Sequence, residues 1–551
     1  MWEYANQLFA RRGLLRASTH RRYGGRLQYH IPRALPIARS NLKNSPASIP
    51  QRLLKTQQLL ETLQLLKTRS ETRMRLRFYC LGVLYSIMAV GPFAAAQTTT
   101  QERVPTAGAS PLGTAADTQL DTQKATLRAG SELSDYVALP DESYRWEVRE
   151  QQRIQNCDVL RLHLTSQRWH GVEWRHVLTL IKPAQVDASR TDAVLVISGG
   201  SWKKDWPDNG PVTMPVSGEA RMMAAVANQF GCVVAVLSQV PFQPMMGGKH
   251  EDELIATTFA NYIKTQDPTW PLLLPMVKSA VRSMDATCAA AQQQWGITLN
   301  QFTVTGASKR GWTTWLTGAT DPRVTAIAPM VIDMLNMDAQ MKLQVESFGG
   351  YSEQIEDYTE LNLPNMLSTP RGHVLQSIVD PFAYREKLTL PKLLIFGTND
   401  RYWPLDACKL YWDQLPGEIH LLYVPNEGHG IKDTARVFGS ITAFHHSLHG
   451  GQPLPKLDWE FSQLEGGVTL DVTAKGGVDT VRGWVATADT RDFRDARWEE
   501  RACQSKGQNA WQLAVPIPQH GFMACFAECV SDADIMPAFF STNVRIFSAQ
   551  K

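Results

Sequence analysis

From about residue 140, short hydrophobic runs alternate with longer stretches in which hydrophobic residues recur at helical spacing. The short runs predict buried strands at Asp158–Ser166, Glu173–Ile181, Ala193–Ser198, Cys232–Leu237, Phe302–Thr305, Val324–Val331, Lys392–Phe396 and His420–Val424. The longer stretches predict helices such as Gly218–Gln229, Glu251–Lys264 and Met276–Gln294. This alternation predicts an α/β fold over residues 140–450, with a mostly parallel, doubly wound sheet.

Two regions depart from the alternation. Residues 349–391 are longer than an ordinary connection and predict a cap insertion beside the functional site. Residues 451–551 show short alternating runs separated by turn residues, which predicts a C-terminal β-sandwich of the immunoglobulin or fibronectin kind. Its predicted strands are Val468–Thr473, Thr480–Ala488, Ala510–Val515, Met523–Val530 and Ser541–Phe547. The aromatic and charged segment Asp489–Trp498 is expected to be exposed.

Residues 74–96 have the layout of a signal peptide. Arg75 and Arg77 precede the apolar run Phe78–Phe93, and three alanines follow it. The run is shorter than the roughly 20 residues that a membrane span needs, so it predicts export with cleavage after Ala96. The mature protein is therefore expected to be secreted or periplasmic and to keep no membrane span.

The segments on either side of this signal predict no packed structure. Residues 1–73 contain 14 basic and 3 acidic side chains and no hydrophobic pattern of a core. They are expected to be disordered, or to be an extension produced by a gene start placed upstream of a true initiator at Met74. Residues 97–139 are rich in Thr, Ala, Gln and Gly and predict a linker.

The net charge of the chain bears on which binding partners can be expected. The whole chain carries a net charge of +3, but residues 97–551 carry 40 basic and 50 acidic side chains, a net charge near −10. A negative body gives no electrostatic reason to bind nucleic acid. The expected partners are a small-molecule, peptide or glycan-ester substrate, and the oligomeric state stays open.

Cysteine and histidine patterns indicate no metal and no cofactor. Eight cysteines contain no CxxC pair or Cys/His cluster of metal-binding spacing. His445 and His449 are four residues apart, with no third ligand near them in sequence. They are expected to be charges at a helix C-terminus. Cys503 could pair with Cys525 or Cys529, and buried thiols are the default expectation.

The run Phe302–Gly311 has the layout of a nucleophile elbow, a sharp strand-to-helix turn that exposes a serine at the edge of a parallel sheet. A β-branched run ends at Gly306, Ser308 follows, and a helix is expected over Trp312–Thr317. Glycine commonly also stands two positions after the serine, where this chain has Arg310. A loop serine that caps a helix is the alternative interpretation.

An acid and a histidine follow two later strands. Asp400 comes after Lys392–Phe396, and His429 comes after His420–Val424. The order Ser, Asp, His, each at a strand end, is that of α/β-hydrolases, and it predicts a catalytic triad of Ser308, Asp400 and His429. Asp333, at the end of the sixth strand, is the alternative acid.

Backbone groups that could hold an oxyanion come from two places. The N–H of Lys309 directly follows the serine, and the loop after the third predicted strand contains Gly200 and Ser201. Glycines allow a close backbone approach there. The ammonium of Lys309 could also stabilise the oxyanion, but a solvated lysine at a helix start is the expected case.

The same segments resemble the PhoPQ-activated pathogenicity-related proteins. The resemblance covers residues 135–551 and rests on these stretches: Glu251–Asp252, Pro275–Lys278, Gly306–Thr317, Asp321–Val324, Pro329–Asp333, Val379–Pro381, Pro391–Leu394 and Arg491–Arg494. It implies an exported protein of the α/β-hydrolase type, linked to virulence in some bacteria. The family also includes autocrine proliferation repressor proteins, and the form of the elbow is similar to that of glucuronoyl esterases.

Two hypotheses follow. The first is an exported serine hydrolase acting on an ester or amide through Ser308, His429 and Asp400. The alternative is an exported signalling or binding protein on a hydrolase scaffold with little catalysis.

Overall fold

The computed structural model describes residues 127–128, 130–187, 189–203, 218–531 and 536–549, with the backbone alone for 218–222. The predicted extension 1–73 and signal peptide 74–96 lie outside the described residues, as does most of the predicted linker. The linker prediction of 97–139 is wrong at its carboxyl end, because Glu132–Ala138 forms a helix. Leu133 and Tyr136 of that helix are buried, and the Tyr136 hydroxyl donates to Gln167 Oε1.

The main sheet has nine strands in the order β1-β2-β3-β5-β4-β6-β7-β8-β9. The strands are β1 (Arg145–Ile154), β2 (Cys157–Trp169), β3 (Val172–Lys182), β4 (Asp192–Ile197), β5 (Val233–Leu237), β6 (Gln301–Ala307), β7 (Val324–Met330), β8 (Lys392–Gly397) and β9 (Ile419–Val424). The first four in this order pair antiparallel, and the pairs from β5 to β9 are parallel. The eight predicted strands are confirmed. The sequence does not predict β1, because this edge strand buries only Ile154.

Helices cover both faces of the sheet. They are α1 (Glu132–Ala138), α2 (Gly218–Phe230), α3 (Glu251–Thr265), α4 (Leu273–Trp295), α5 (Lys309–Gly318), α6 (Met337–Phe348), α7 (Glu356–Glu360), α8 (Leu363–Met366), α9 (Pro370–Val379) and α10 (Thr434–Leu448). One core contains apolar residues of α3, α4 and α5, and a second core contains those of α2 and α10. Neighbouring strand residues alternate between the cores, as Leu393 and Leu394 do. Across the described ranges, no helix combines the length and apolarity that a bilayer span requires.

The C-terminal region contains two antiparallel sheets around one core. The first has the order β10-β11-β15-β14, and the second has the order β13-β12-β16-β17 with β18 also paired to β16. The strands are β10 (Lys456–Leu464), β11 (Gly467–Lys475), β12 (Thr480–Ala488), β13 (Glu499–Ala502), β14 (Gln504–Gly507), β15 (Ala510–Pro516), β16 (Phe522–Ser531), β17 (Ala538–Ser541) and β18 (Arg545–Ser548). The predicted run Ser541–Phe547 is therefore two strands. The α/β-hydrolase-type fold with a C-terminal β-sandwich is confirmed.

Candidate active site

The turn between β6 and α5 is strained at Ser308. This residue has φ 59° and ψ −128°, a backbone conformation that residues other than glycine rarely adopt. Its N–H donates to the Met330 carbonyl. A Cβ on Gly306 would lie 2.8 Å from the carbonyl oxygen of Arg310. The turn therefore requires glycine at 306 and holds Ser308 at the carboxyl edge of the sheet.

The shifted second glycine has a steric explanation. A Cβ on Gly311 would lie 2.7 Å from Ile332 Cγ2 and 2.9 Å from the Met330 carbonyl oxygen, so the close approach of α5 to β7 occurs at 311. At 310 there is room for a side chain. The Arg310 guanidinium forms two hydrogen bonds with Glu251, at 2.7 and 2.8 Å.

Three predicted residues meet in one hydrogen-bonded chain. Ser308 Oγ lies 2.8 Å from His429 Nε2, and His429 Nδ1 lies 2.9 Å from Asp400 Oδ2. With the carboxylate ionised, Nδ1 carries the ring proton and Nε2 is free to accept one. The Tyr402 N–H donates to Asp400 Oδ1, and the Tyr402 ring packs 4.1 Å from the His429 ring, centroid to centroid. The imidazole is therefore held on two sides.

The alternative acid lies elsewhere. Asp333 Oδ1 accepts a 2.6 Å hydrogen bond from the Tyr411 hydroxyl, and the hydrogen bonds of the described residues join His429 to Asp400 alone among carboxylates. Burial raises the pKa of Asp333 to about 8. A carboxyl group that stays protonated at neutral pH is a poor partner for an imidazolium.

The sandwich contacts the loops that carry Asp400 and His429. Asn399 Nδ2 donates to three carbonyl oxygens of the Asp489–Trp498 segment, at 2.7 to 3.2 Å. The side chain of Asn426 makes both a donated and an accepted hydrogen bond with the backbone of Trp498. Phe493 and Trp498 are buried. The expectation that this segment is exposed is wrong for its aromatic residues, although Asp489, Thr490, Asp495 and Arg497 are exposed. Arg491, Arg494 and Asp495 pair with hydrolase-domain residues that are distant in sequence.

One candidate oxyanion element directly follows the serine in sequence, and the other is on the loop after β4. The N–H of Lys309 is at the first position of α5 and has no acceptor inside the helix. The loop after β4 touches the same helix, since a Cβ on Gly199 would lie 2.7 Å from the guanidinium carbon of Arg310. Gly200 has φ +106°, and Ser201 follows it with its Oγ 3.5 Å from His250 Nδ1.

The ammonium of Lys309 is buried and paired, so the expectation of a solvated lysine is wrong. Its Nζ lies 3.0 Å from Glu251 Oε2 and 3.0 Å from Asp252 Oδ2. Burial alone would raise the pKa of Glu251, but the charges of Arg310 and Lys309 hold that pKa well below its usual range. Asp252 also accepts hydrogen bonds from the hydroxyls of Tyr358 and Tyr402.

Asp252, Tyr358 and Tyr402 are site residues that the sequence reasoning missed. Their signals in the sequence are weak, since Glu251–Asp252 stands out only through the family resemblance and no pattern marks Tyr358 or Tyr402. They line one pocket, which leaves about 750 Å³ between its atoms, part of it open to solvent. The lining residues are Asp252, Phe259, Ser308, Lys309, Trp312, Ile332, Met334, Met337, Met341, Ile355, Tyr358, Leu363, Pro364, Leu367, Leu375, Tyr402, Trp403 and His429.

A second polar cluster lies at the opposite end of the domain's strands. His445 is buried, with Nε2 3.0 Å from Asp192 Oδ2 and 3.3 Å from Cys232 Sγ. Burial lowers the pKa of His445 to about 4, so its predicted role as a helix-end charge is wrong. Asp192, Cys232 and His445 form a group of three side chains of metal-ligating type. The fold brings them together from distant positions, so the sequence alone indicated no third ligand near His445. The Arg190 guanidinium already pairs with Asp192, at 2.5 Å.

All seven cysteines of the described residues are free thiols. Cys525 and Cys529 are fully buried in the sandwich core, and Cys503 packs against that core. Burial raises the pKa of Cys503 to about 11 and those of Cys525 and Cys529 to about 12. These thiols are therefore protonated at neutral pH.

Comparison with known sequences identifies the family of this chain. Residues 133–494 match the family model of the PhoPQ-activated pathogenicity-related protein. The autocrine proliferation repressor protein A of Dictyostelium discoideum is 30% identical over 434 residues, which cover 72% of this chain and 85% of the relative.

Solved structures with some likeness include two esterases. The acetyl xylan esterase of Paenibacillus sp. R4 has a TM-score of 0.38 and 11% identity, covering 54% of this chain and 86% of that one. The glucuronoyl esterase of Solibacter usitatus has a TM-score of 0.32 and 13% identity, covering 54% and 84%. These overlaps are too slight to bear on activity. The family match spans more than half of the sequence and is decisive, and the chain belongs to the PhoPQ-activated pathogenicity-related protein family.

Proposed function

We propose that this protein is a serine hydrolase that cleaves an ester or amide bond. The observation that carries the proposal is the continuous hydrogen-bonded chain from Asp400 through His429 to Ser308. His429 Nε2 accepts the proton of Ser308 Oγ as that oxygen attacks the substrate carbonyl carbon. The same proton then passes to the leaving alcohol or amine, and an acyl-serine remains.

Deacylation reverses the proton path. A water molecule gives a proton to His429 and attacks the acyl carbon, and Ser308 Oγ recovers the proton as the acid product leaves. Asp400 orients the ring through Nδ1 and stabilises the imidazolium in both half-reactions. The N–H of Lys309, with those of Gly200 or Ser201, is assigned to the developing oxyanion.

A fluorophosphonate probe tests this proposal, because it reacts far faster with a serine that has a general base than with an unactivated one. We expect stoichiometric labelling of Ser308, identified by peptide mass spectrometry, and loss of labelling in His429→Ala. The control His373→Ala, at an exposed histidine on α9, should label as the wild type does. A folded protein that shows no labelling would contradict the proposal.

The exported location is part of the same proposal and rests on the signal-like segment 74–96. Expression of the gene from Met74 in a Gram-negative host should deliver the protein to the periplasm. Amino-terminal sequencing of that material should begin at Gln97. Protein that stays in the cytoplasm with residues 74–96 intact would contradict export.

A signalling or binding role is the second candidate, and the relative named a proliferation repressor favours it. Such a role needs the surface of the protein but no reactive serine. The probe experiment separates the two, since a binding protein with an unreactive Ser308 would stay unlabelled.

A further inference from the structure

We propose that the substrate carries an apolar chain next to the scissile ester or amide bond and that this chain occupies the pocket beside Ser308. The inference rests on the proposed function and deepens it. It names the substrate class as esters or amides with an apolar acyl or leaving group, in place of a small or charged one.

Most of the pocket wall is hydrocarbon or thioether. The side chains come from helix α3, from the start of α5, from α6 with the residues before it, and from the cap. They are Phe259, Trp312, Ile332, Met334, Met337, Met341, Ile355, Leu363, Pro364, Leu367 and Leu375. Three methionines lie together there, and unbranched thioether side chains adapt their shape to an apolar ligand.

The ionised groups Asp252 and Lys309 of the wall and the hydroxyls of Tyr358 and Tyr402 are already paired with one another. Asp252 Oδ1 accepts from Tyr358, and its Oδ2 accepts from Lys309 and Tyr402. Glu251 balances the second cation, Arg310. The cluster thus contains two carboxylates and two cations, so its net charge is zero. A charged substrate group would have to break these buried pairs, which is costly in a desolvated wall.

The cap provides five of the eleven apolar side chains named above. Ile355, Leu363, Leu367 and Leu375 lie within 349–391 and are buried. Each methylene group moved from water into such a wall lowers the free energy by a roughly constant amount. The transition state should therefore be bound more tightly as the chain lengthens. The expected gain is about fourfold in kcat/KM for each added methylene until the pocket is full.

Two ester series test the inference on the wild-type protein. The first keeps p-nitrophenol as leaving group and lengthens the acyl chain from acetyl to decanoyl. The second keeps the acetyl group and lengthens the alcohol from ethyl to decyl. A rise in the first series assigns the pocket to the acyl part, and a rise in the second assigns it to the leaving group.

A pair of variants on α6 tests whether the pocket wall itself causes the preference for long chains. Met341→Glu puts a charge into the pocket wall and should lower the ratio of long-chain to acetyl kcat/KM by at least about tenfold. Val345→Glu, at an exposed position on the same helix, should leave that ratio unchanged. Equal melting temperatures would show that both variants fold.

The possible failures are distinguishable. Turnover of acetyl esters with flat or falling rates in both series would overturn the apolar-chain inference and leave the hydrolase proposal standing. Absence of turnover together with absence of fluorophosphonate labelling would overturn the proposed function, and this inference with it.

Discussion

Replacing Ser308 with alanine is expected to lower kcat for a p-nitrophenyl ester by at least about 10⁴-fold while the protein stays folded. The variant removes the only oxygen that lies within hydrogen-bond distance of His429 Nε2 among the described contacts. What remains is substrate binding and the oxyanion contacts, which give a small residual rate over water. Alanine also fits the strained turn no worse than serine, because neither residue branches at Cβ.

Steady-state kinetics and circular dichroism on the same preparations provide the measurement. The matched control is Ser505→Ala, at an exposed serine in the sandwich, for which kcat should stay within about twofold of wild type. Full activity of the Ser308 variant would mean that another group performs the attack, and it would end the proposed mechanism.

Asparagine at position 400 is expected to reduce kcat by about 10⁴-fold, the effect that loss of the triad carboxylate has elsewhere. The amide keeps the shape of the side chain but removes the charge that stabilises the imidazolium, and it can favour the wrong ring tautomer. The contrasting variant is Asp333→Asn, for which kcat should change by less than about threefold. A larger loss at 333 than at 400 would reverse the assignment of the acid.

The Asp333 variant also has an expected pH signature in stability. An unfolded aspartate has a pKa near 3.9, while the folded pKa of Asp333 is about 8. The native state therefore holds an extra proton between about pH 4 and 8, and the free energy of unfolding falls as pH rises through this window.

Asp333→Asn removes that proton uptake. Its stability relative to wild type should rise from pH 5 to pH 8, measured by urea unfolding at fixed ionic strength. Asp380, whose pKa burial raises to about 6, titrates in both proteins and cancels in the difference. An unchanged difference across this range would contradict the protonated state of Asp333.

Much of the fold and the three central residues could be predicted because their signals are local. A β-branched or aliphatic run followed by glycine and a polar residue marks a buried strand and its end, as at Lys392–Gly397 and Gln301–Ala307. Parallel strands deliver their carboxyl ends to one edge. Position in the sequence therefore indicated which side chains share an edge, and the structure brings Ser308, Asp400 and His429 together.

What could not be predicted depends on contacts between residues far apart in sequence. The polar strand β1 is recognisable only once its partner β2 is known. The pairing of Lys309 with Asp252 joins α5 to α3, and the burial of His445 depends on Asp192 and Cys232 in β4 and before β5. No periodicity along one segment contains this information.

The hydrogen bonds that tie Asn399 and Asn426 to the Asp489–Trp498 segment bear on how this protein can be dissected. A fragment that stops near residue 452 would lose every one of those anchors at once. Inactivity of such a fragment would then reflect displaced loops around Asp400 and His429, even if the missing sandwich had a separate function of its own. Point substitutions on sandwich strands that do not contact this segment are the better test of whether the sandwich binds a ligand.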